Sequence, residues 1–262
     1  VNELQRIVAR SREELVTRVA ERPLATVHDD ALRRLAADPP RGFADALRAP
    51  GLSVVAEHKR RSPSAGVIRE EVELEEVVGA YERGGARAIS VLTERVGFGG
   101  SLDDLARARR ASSLPLLRKD FIVSEYQVAE AAAGGADAIL LIVAALDDDE
   151  LGSLLAHAAR YGLDVLVEVH DAAELERAGR FDVPVIGINN RDLTTLEVDL
   201  ERTFELCGRV APGTTVVAES GLRTRADIER VSASGIDAVL IGETLMRSVD
   251  MEGALRALLE TV

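Results

Sequence analysis

The 262-residue sequence predicts a closed (β/α)8 barrel, an α/β fold, preceded by a helical extension. Short aliphatic runs alternate eight times with amphipathic helical stretches, which implies a parallel sheet with enough units to close on itself. The length suits such a barrel, about 250 residues, so a single domain is expected, with the extension over 1–50 and the barrel over 51–262. Ionisable residues also gather where the aliphatic runs end, at the rim where barrels of this kind carry their active sites.

The elements follow in order. Leu4, Ile7, Val8, Leu15, Val16 and Val19 recur at helical spacing over residues 2–20, with charges between them. Further helices are expected near 29–37 and 43–48, set apart by Pro23 and the pair Pro39-Pro40. Strands are expected near 53–57, 88–92, 115–118, 138–143, 164–168, 185–189, 215–219 and 238–242. The intervening helices fall near 72–83, 101–111, 124–133, 147–161, 171–179, 199–208, 224–234 and 252–260. Ser101 with Asp104, Ser124 before Glu125, Asp147 before an acidic turn and Thr224 before Asp227 read as helix caps. An echo links GGARAISVL at 84–92, GGADAILLI at 134–142 and SGIDAVLIG at 234–242. Either duplication or the shared demands of a helix-to-strand turn would produce it.

Composition narrows the function. The net charge, 32 − 45 = −13, and the lack of a basic stripe argue against nucleic acid. Aromatics are only 3%, so the core must be aliphatic. The single cysteine, Cys207, excludes an internal disulfide and suits a reducing compartment. No apolar run reaches the ~18 residues of a membrane span, and the amino end lacks a targeting pattern. A cytoplasmic protein with no membrane partner is expected. No Cys/His cluster has zinc spacing, and lysines interleaved with the carboxylates oppose a cation, so no metal is expected.

Strand parity selects the site. In SVVAEHK, Glu57 and Lys59 share a face and His58 takes the other, as a packing residue. The second strand leads to Thr93, Glu94 and the loop GFGGS with Phe98; the third ends in Arg118, Lys119, Asp120 and Phe121. The fifth exits at Glu168, the sixth presents Asn189 and Arg191, the seventh Glu219, Ser220 and Gly221, and the eighth Gly242 and Glu243. Carboxylates and lysines crowded together displace each other's pKa values, which suits proton transfer. The glycines at 221 and 242 stand where barrels hold phosphate, although a turn alone also calls for glycine. Phe98 and Phe121 either stack on an aromatic ligand or pack as a lid. His28, His157 and His170 read as surface or helix-edge residues, Cys207 as buried and inert, and Arg60 and Arg61 as a solvated loop edge.

AEHKRRSPSAG, LLRKDFIVSEYQV, GADAILLIVAAL, VLVEVHD, IGINNRDLTTLEVD, VAESGL and LIGETLM, in this order, resemble the indole-3-glycerol phosphate synthase family. The resemblance is strong over about 43–262 and matches the prelude in kind. It implies closure of the pyrrole ring of 1-(2-carboxyphenylamino)-1-deoxyribulose 5-phosphate, releasing carbon dioxide and water without a cofactor. It further implies Lys119 as general acid with Glu168 beside it, and Glu57 and Lys59 in dehydration and orientation. Which lysine delivers which proton stays open. Asn189 and Glu219 would hold amine and hydroxyl groups, while Arg191 and Ser62 would face the anthranilate carboxylate. Ser220, Gly221, Gly242 and the Glu243 amide would cradle phosphate, with Phe98, Phe121 and Leu140 around the ring. A monomer, or at most a weak homodimer, is expected. Three departures stand out: Gly97 replaces an aromatic, no tryptophan covers the site, and His58 replaces an aliphatic or aromatic neighbour. The rivals are a phosphoribosylanthranilate isomerase-type barrel, which needs a cysteine near the first strand, and a non-catalytic phosphate binder, which has no use for Lys119 and Glu168.

Overall fold

In a computed structural model describing residues 2–192 and 195–260, eight parallel strands close into a barrel. They are β1 (Ser53–His58), β2 (Ala88–Leu92), β3 (Leu116–Lys119), β4 (Ala138–Ile142), β5 (Asp164–Val169), β6 (Val185–Asn189), β7 (Thr215–Glu219) and β8 (Ala238–Ile241). Each pairs with its sequence neighbour, and β1 closes the ring on β8, Ser53 opposite Ala238 through Ala56 opposite Ile241.

Alternation sorts the side chains into two cores. Val55, Ala88, Leu117, Leu140, Leu166, Val217 and Leu240 fill the barrel, while Val54, Ile89, Leu116, Ile139, Val167 and Val239 pack under the helices. Three helices precede β1: α1 (Glu3–Glu21), α2 (Leu24–Ala37) and α3 (Phe43–Leu47). The second begins five residues before its expected start. Pro23 presets the backbone for a first turn without needing to donate, and Val27 and Ala31 then form one buried stripe. Helix α3 plugs the floor of the barrel: Phe43, Ala44 and Leu47 join the interior core, and the Ala44 amide donates to Asp164 Oδ2 at 2.8 Å.

The echo has a structural content. Gly85, Gly135 and Gly235 are left-handed at φ 98°, 97° and 74°, each just past a helix end. Asp137 and Asp237, at matching places in two copies, accept the Leu116 and Val216 amides at 2.7 Å, fastening the start of the preceding strand. All three copies thus meet the same turn requirement.

Candidate active site

At the carboxyl ends of the strands lies a cavity of about 570 Å³. The fifteen positions singled out in the sequence all line it: Glu57, Lys59, Ser62, Phe98, Lys119, Phe121, Leu140, Glu168, Asn189, Arg191, Glu219, Ser220, Gly221, Gly242 and Glu243.

Inward parity at the strand ends builds the charged centre. Lys119 Nζ stands 2.9 Å from Glu168 Oε2 and 3.1 Å from Glu219 Oε2. Burial works against the ammonium, but Glu168, Glu219 and Glu57 outweigh it and hold Lys119 well above its ordinary value. The two carboxylates diverge. Burial would raise Glu168, yet Lys119 and His170 hold it well below the usual carboxylate range. Glu219 is pushed up to about 8 by burial, with Glu168 and Glu57 adding to the effect against Lys119. Their surroundings thus drive the two in opposite directions, Glu168 towards the ionised form and Glu219 towards the protonated one. A second pair sits beside them: Lys59 Nζ bonds Glu57 Oε1 at 2.6 Å, and Ser90 reaches Glu57 Oε2 at 3.4 Å.

Two glycines open space for these groups. A Cβ on Gly187 of β6 would lie 2.1 Å from Glu219 Oε1, and one on Gly242 would lie 2.6 Å from Glu57 Oε1. Gly187 had no place in the sequence reading, though a glycine inside a buried strand marks a close approach.

At the corner after β7 and β8, Ser220 and Gly221 have φ of 67° and 84°. The backbone amides of Ser220, Gly221, Gly242 and Glu243 donate to no other described residue. Asn190, buried and also unforeseen, donates to the Ser220 carbonyl at 3.1 Å and accepts from Thr203 Oγ1 at 2.8 Å, bracing that turn.

The upper wall is apolar. Phe98 and Phe121 lie 6.3 Å apart, tilted at 40°, and α1 crosses above with Leu4 and Ile7 lining the cavity. The Glu94 carboxylate fastens this wall. It accepts from the amides of Val96, Gly97 and Phe98 at 3.2, 2.6 and 3.0 Å and pairs with Arg10 of α1 at 2.5 Å. Ser11 adds a bond to the Phe121 carbonyl at 3.2 Å. Ser62 shapes the facing turn, accepting from the Ala65 amide at 3.1 Å. Arg191 spends one amino group on the Leu196 carbonyl at 2.9 Å.

Three readings change. Arg60 is not a solvated edge: it forks onto Asp104 at 2.7 and 2.8 Å, because the chain turns back over the next helix start. His170 is not a surface residue: its side chain is 10% exposed and its Nε2 lies 3.2 Å from Glu168 Oε1. Burial works against its charge, but Glu168 and Glu174 push it up to about 10. Cys207 is half-buried rather than buried. His58 packs outside the barrel as expected, and burial lowers it to about 4. Among the described residues no helix is long and apolar enough to cross a membrane.

A family model described as indole-3-glycerol phosphate synthase matches residues 4–258. The indole-3-glycerol phosphate synthase 2 of Streptomyces coelicolor is 51% identical over 223 residues, 85% of this chain and 86% of that protein. The indole-3-glycerol phosphate synthase of Leptothrix cholodnii is 47% identical over 259 residues, 97% of this chain and 98% of that protein. Among solved structures, thiamine phosphate pyrophosphorylase from Pyrococcus furiosus aligns with a TM-score of 0.60 at 19% identity, covering 81% of this chain and 95% of that one. That last likeness is one of fold. A family match from residue 4 to residue 258, with relatives about half identical along most of the chain, makes this protein a member of the indole-3-glycerol phosphate synthase family, the carboxy-lyases of tryptophan biosynthesis.

Proposed function

We propose that Lys119 is the general acid of the ring closure and that Glu168 and Glu219 manage its proton. The observation that carries this reading is the Lys119 ammonium between two carboxyl groups at 2.9 and 3.1 Å, in one cavity with the unspent amides at 220–221 and 242–243. The substrate is 1-(2-carboxyphenylamino)-1-deoxyribulose 5-phosphate. The amides of Ser220, Gly221, Gly242 and Glu243 take its phosphate, since orphan donors at turns favour an anion. Its aromatic ring packs among Phe98, Phe121 and Leu140 under α1, with Arg191 and Ser62 facing the carboxylate.

Ring closure forms a bond from the carboxyl-bearing ring carbon to the sugar carbonyl carbon, whose π electrons move to oxygen. Lys119 protonates that oxygen as the bond forms. A developing alkoxide is a far stronger base than a lysine amine, so a proton held firmly by its neighbours still transfers. Ionised Glu168 stabilises the positive charge spread over the ring and its nitrogen. Carbon dioxide then leaves, returning its bonding electrons to the ring. Protonated Glu219 can restore the Lys119 proton. Lys59 protonates the departing hydroxyl, which leaves as water, and Glu57 takes the proton lost as the pyrrole aromatises. Asn189 fixes Glu168, donating to its Oε1 at 3.1 Å.

Lys119→Met is expected to lower turnover by at least ~10²-fold while leaving product affinity within an order of magnitude. Indole fluorescence follows turnover and calorimetry follows affinity. Parental turnover in the variant would remove Lys119 from the chemistry.

A further inference from the structure

We propose that His170 is a positioning residue that decides which of the two carboxyl groups around Lys119 is ionised. The inference rests on the role given to Glu168 above and goes beyond it. Lys119 does not make the choice itself, because its ammonium lies at nearly equal distances from Glu168 and Glu219, 2.9 and 3.1 Å. The difference lies on the far side of each carboxyl. Among the described residues Glu219 Oε1 has no hydrogen-bond partner, whereas Glu168 Oε1 has His170 Nε2 at 3.2 Å and Asn189 Nδ2 at 3.1 Å.

The ring is gripped at its other nitrogen as well. His170 Nδ1 lies 3.0 Å from Glu174 Oε2, and the same oxygen accepts the His170 backbone amide at 2.7 Å. Glu174 stands in the first turn of the helix Ala172–Ala178, where its own amide bonds the capping Asp171 at 2.9 Å. The local sequence HDAAE therefore aims the imidazole: a cap starts the helix, and the third residue inside it reaches back to the ring.

The charged groups around the imidazole are Glu168 on β5, just before it, and Glu174 on the following helix. Beyond Glu168 come Lys119 on β3 and Glu219 on β7. With a carboxylate at each nitrogen the favoured state is the imidazolium, consistent with the upward displacement given above. Nε2 contacts Glu168 off the hydrogen-bond axis and has no other partner among the described residues, so its effect is one of charge placed close by. Glu168 thus faces two cations and Glu219 only one.

The test is a cycle of His170→Asn and Glu168→Gln, read as pH profiles of kcat and KM. His170→Asn is expected to lower kcat by about 10- to 100-fold, the scale on which one nearby cation displaces a carboxyl group. KM should stay within about twofold, and the acid limb of kcat should move to higher pH. In the Glu168→Gln background the same change should cost nothing more. His170→Gln, which also lacks the charge, should lose about as much. Glu174→Gln should act in the same direction but less, and it serves if His170→Asn does not fold. In the parent, the ¹⁵N shifts of His170 should report a doubly protonated ring at pH 8. An unmoved acid limb, an equal loss in both backgrounds, or a neutral ring at pH 8 would overturn the proposal. Parental turnover in Glu168→Gln alone would instead overturn the role of Glu168.

Discussion

Two buried charge clusters occupy opposite ends of this barrel, and they are built differently. Near the floor, Arg109 donates to both oxygens of Asp137 at 2.6 and 2.8 Å and forks onto Asp38 at 2.6 and 2.6 Å. Asp137 also accepts the amides of Arg41 and Leu116 at 2.8 and 2.7 Å. The result pins the Pro39-Pro40-Arg41 segment, and with it the amino-terminal helices, to the barrel. At the mouth the central cation is a lysine, the carboxyl groups around it outnumber it, and Glu219 Oε1 has no hydrogen-bond partner among the described residues. Arginine keeps its charge at any working pH and spends its donors in a fixed fork, whereas lysine is a compact donor that can release a proton. The lower cluster fastens; the upper one keeps protons available.

The sharpest way to break this contrast is Asp137→Asn. Removing one partner leaves Arg109 buried and underpaired, at an expected cost of about 3–5 kcal/mol. Turnover of the folded enzyme should be unchanged. Urea unfolding alongside saturating kcat checks both; a slowed enzyme of parental stability would reverse the assignment.

Glu219→Gln should do the reverse, lowering turnover at least ~10-fold with no loss of stability near neutral pH. It also carries a pH signature. The folded pKa of Glu219, about 8, lies above its ordinary 4.5, so between these values the native chain holds a proton that the unfolded chain has released. Its contribution to stability is complete below about 4.5 and is lost as pH rises through about 8. The variant should therefore gain on the parent at pH 8 relative to pH 5. Denaturation midpoints at the two pH values give the answer, and a gain at pH 5 instead would mean that Glu219 is ionised in the native state.

The smallest effect belongs to a third ion pair, between the clusters in character. Arg10→Ala frees α1 from Glu94, whose backbone contacts still hold the Phe98 loop. A partly exposed pair is worth no more than about 1 kcal/mol, so KM should rise about threefold with kcat intact. A matching fall in kcat would show that α1 does more than cover the ring.

The barrel and the charged centre were legible because both follow from short-range rules. Period-2 alternation in VLVEV and VVAES fixes where Glu168 and Glu219 point, whatever the rest of the chain does. His170 lies just past the end of β5, where alternation no longer dictates direction, and its place is set by Glu174 on the following helix. Gly187 carried a signal as well, a glycine amid aliphatic strand residues, whose meaning depended on Glu219 lying across from it. The Arg60–Asp104 and Arg109–Asp38 pairs join residues 44 and 71 positions apart, and no local pattern couples them. The early start of α2 was hidden by reading Pro23 as a separator, when a proline is tolerated just ahead of a first turn.

The roof formed by α1 has a practical side. Besides the apolar side chains of Leu4, Ile7, Val8 and Leu15, several of its ties to the barrel are polar, among them Arg10 to Glu94, Ser11 to Phe121, Arg12 to Glu150 and Arg18 to Glu130. Dissolved ions weaken such ties where they meet water. Raising the ionic strength should therefore loosen the hold of this roof before it reaches the buried lysine beneath.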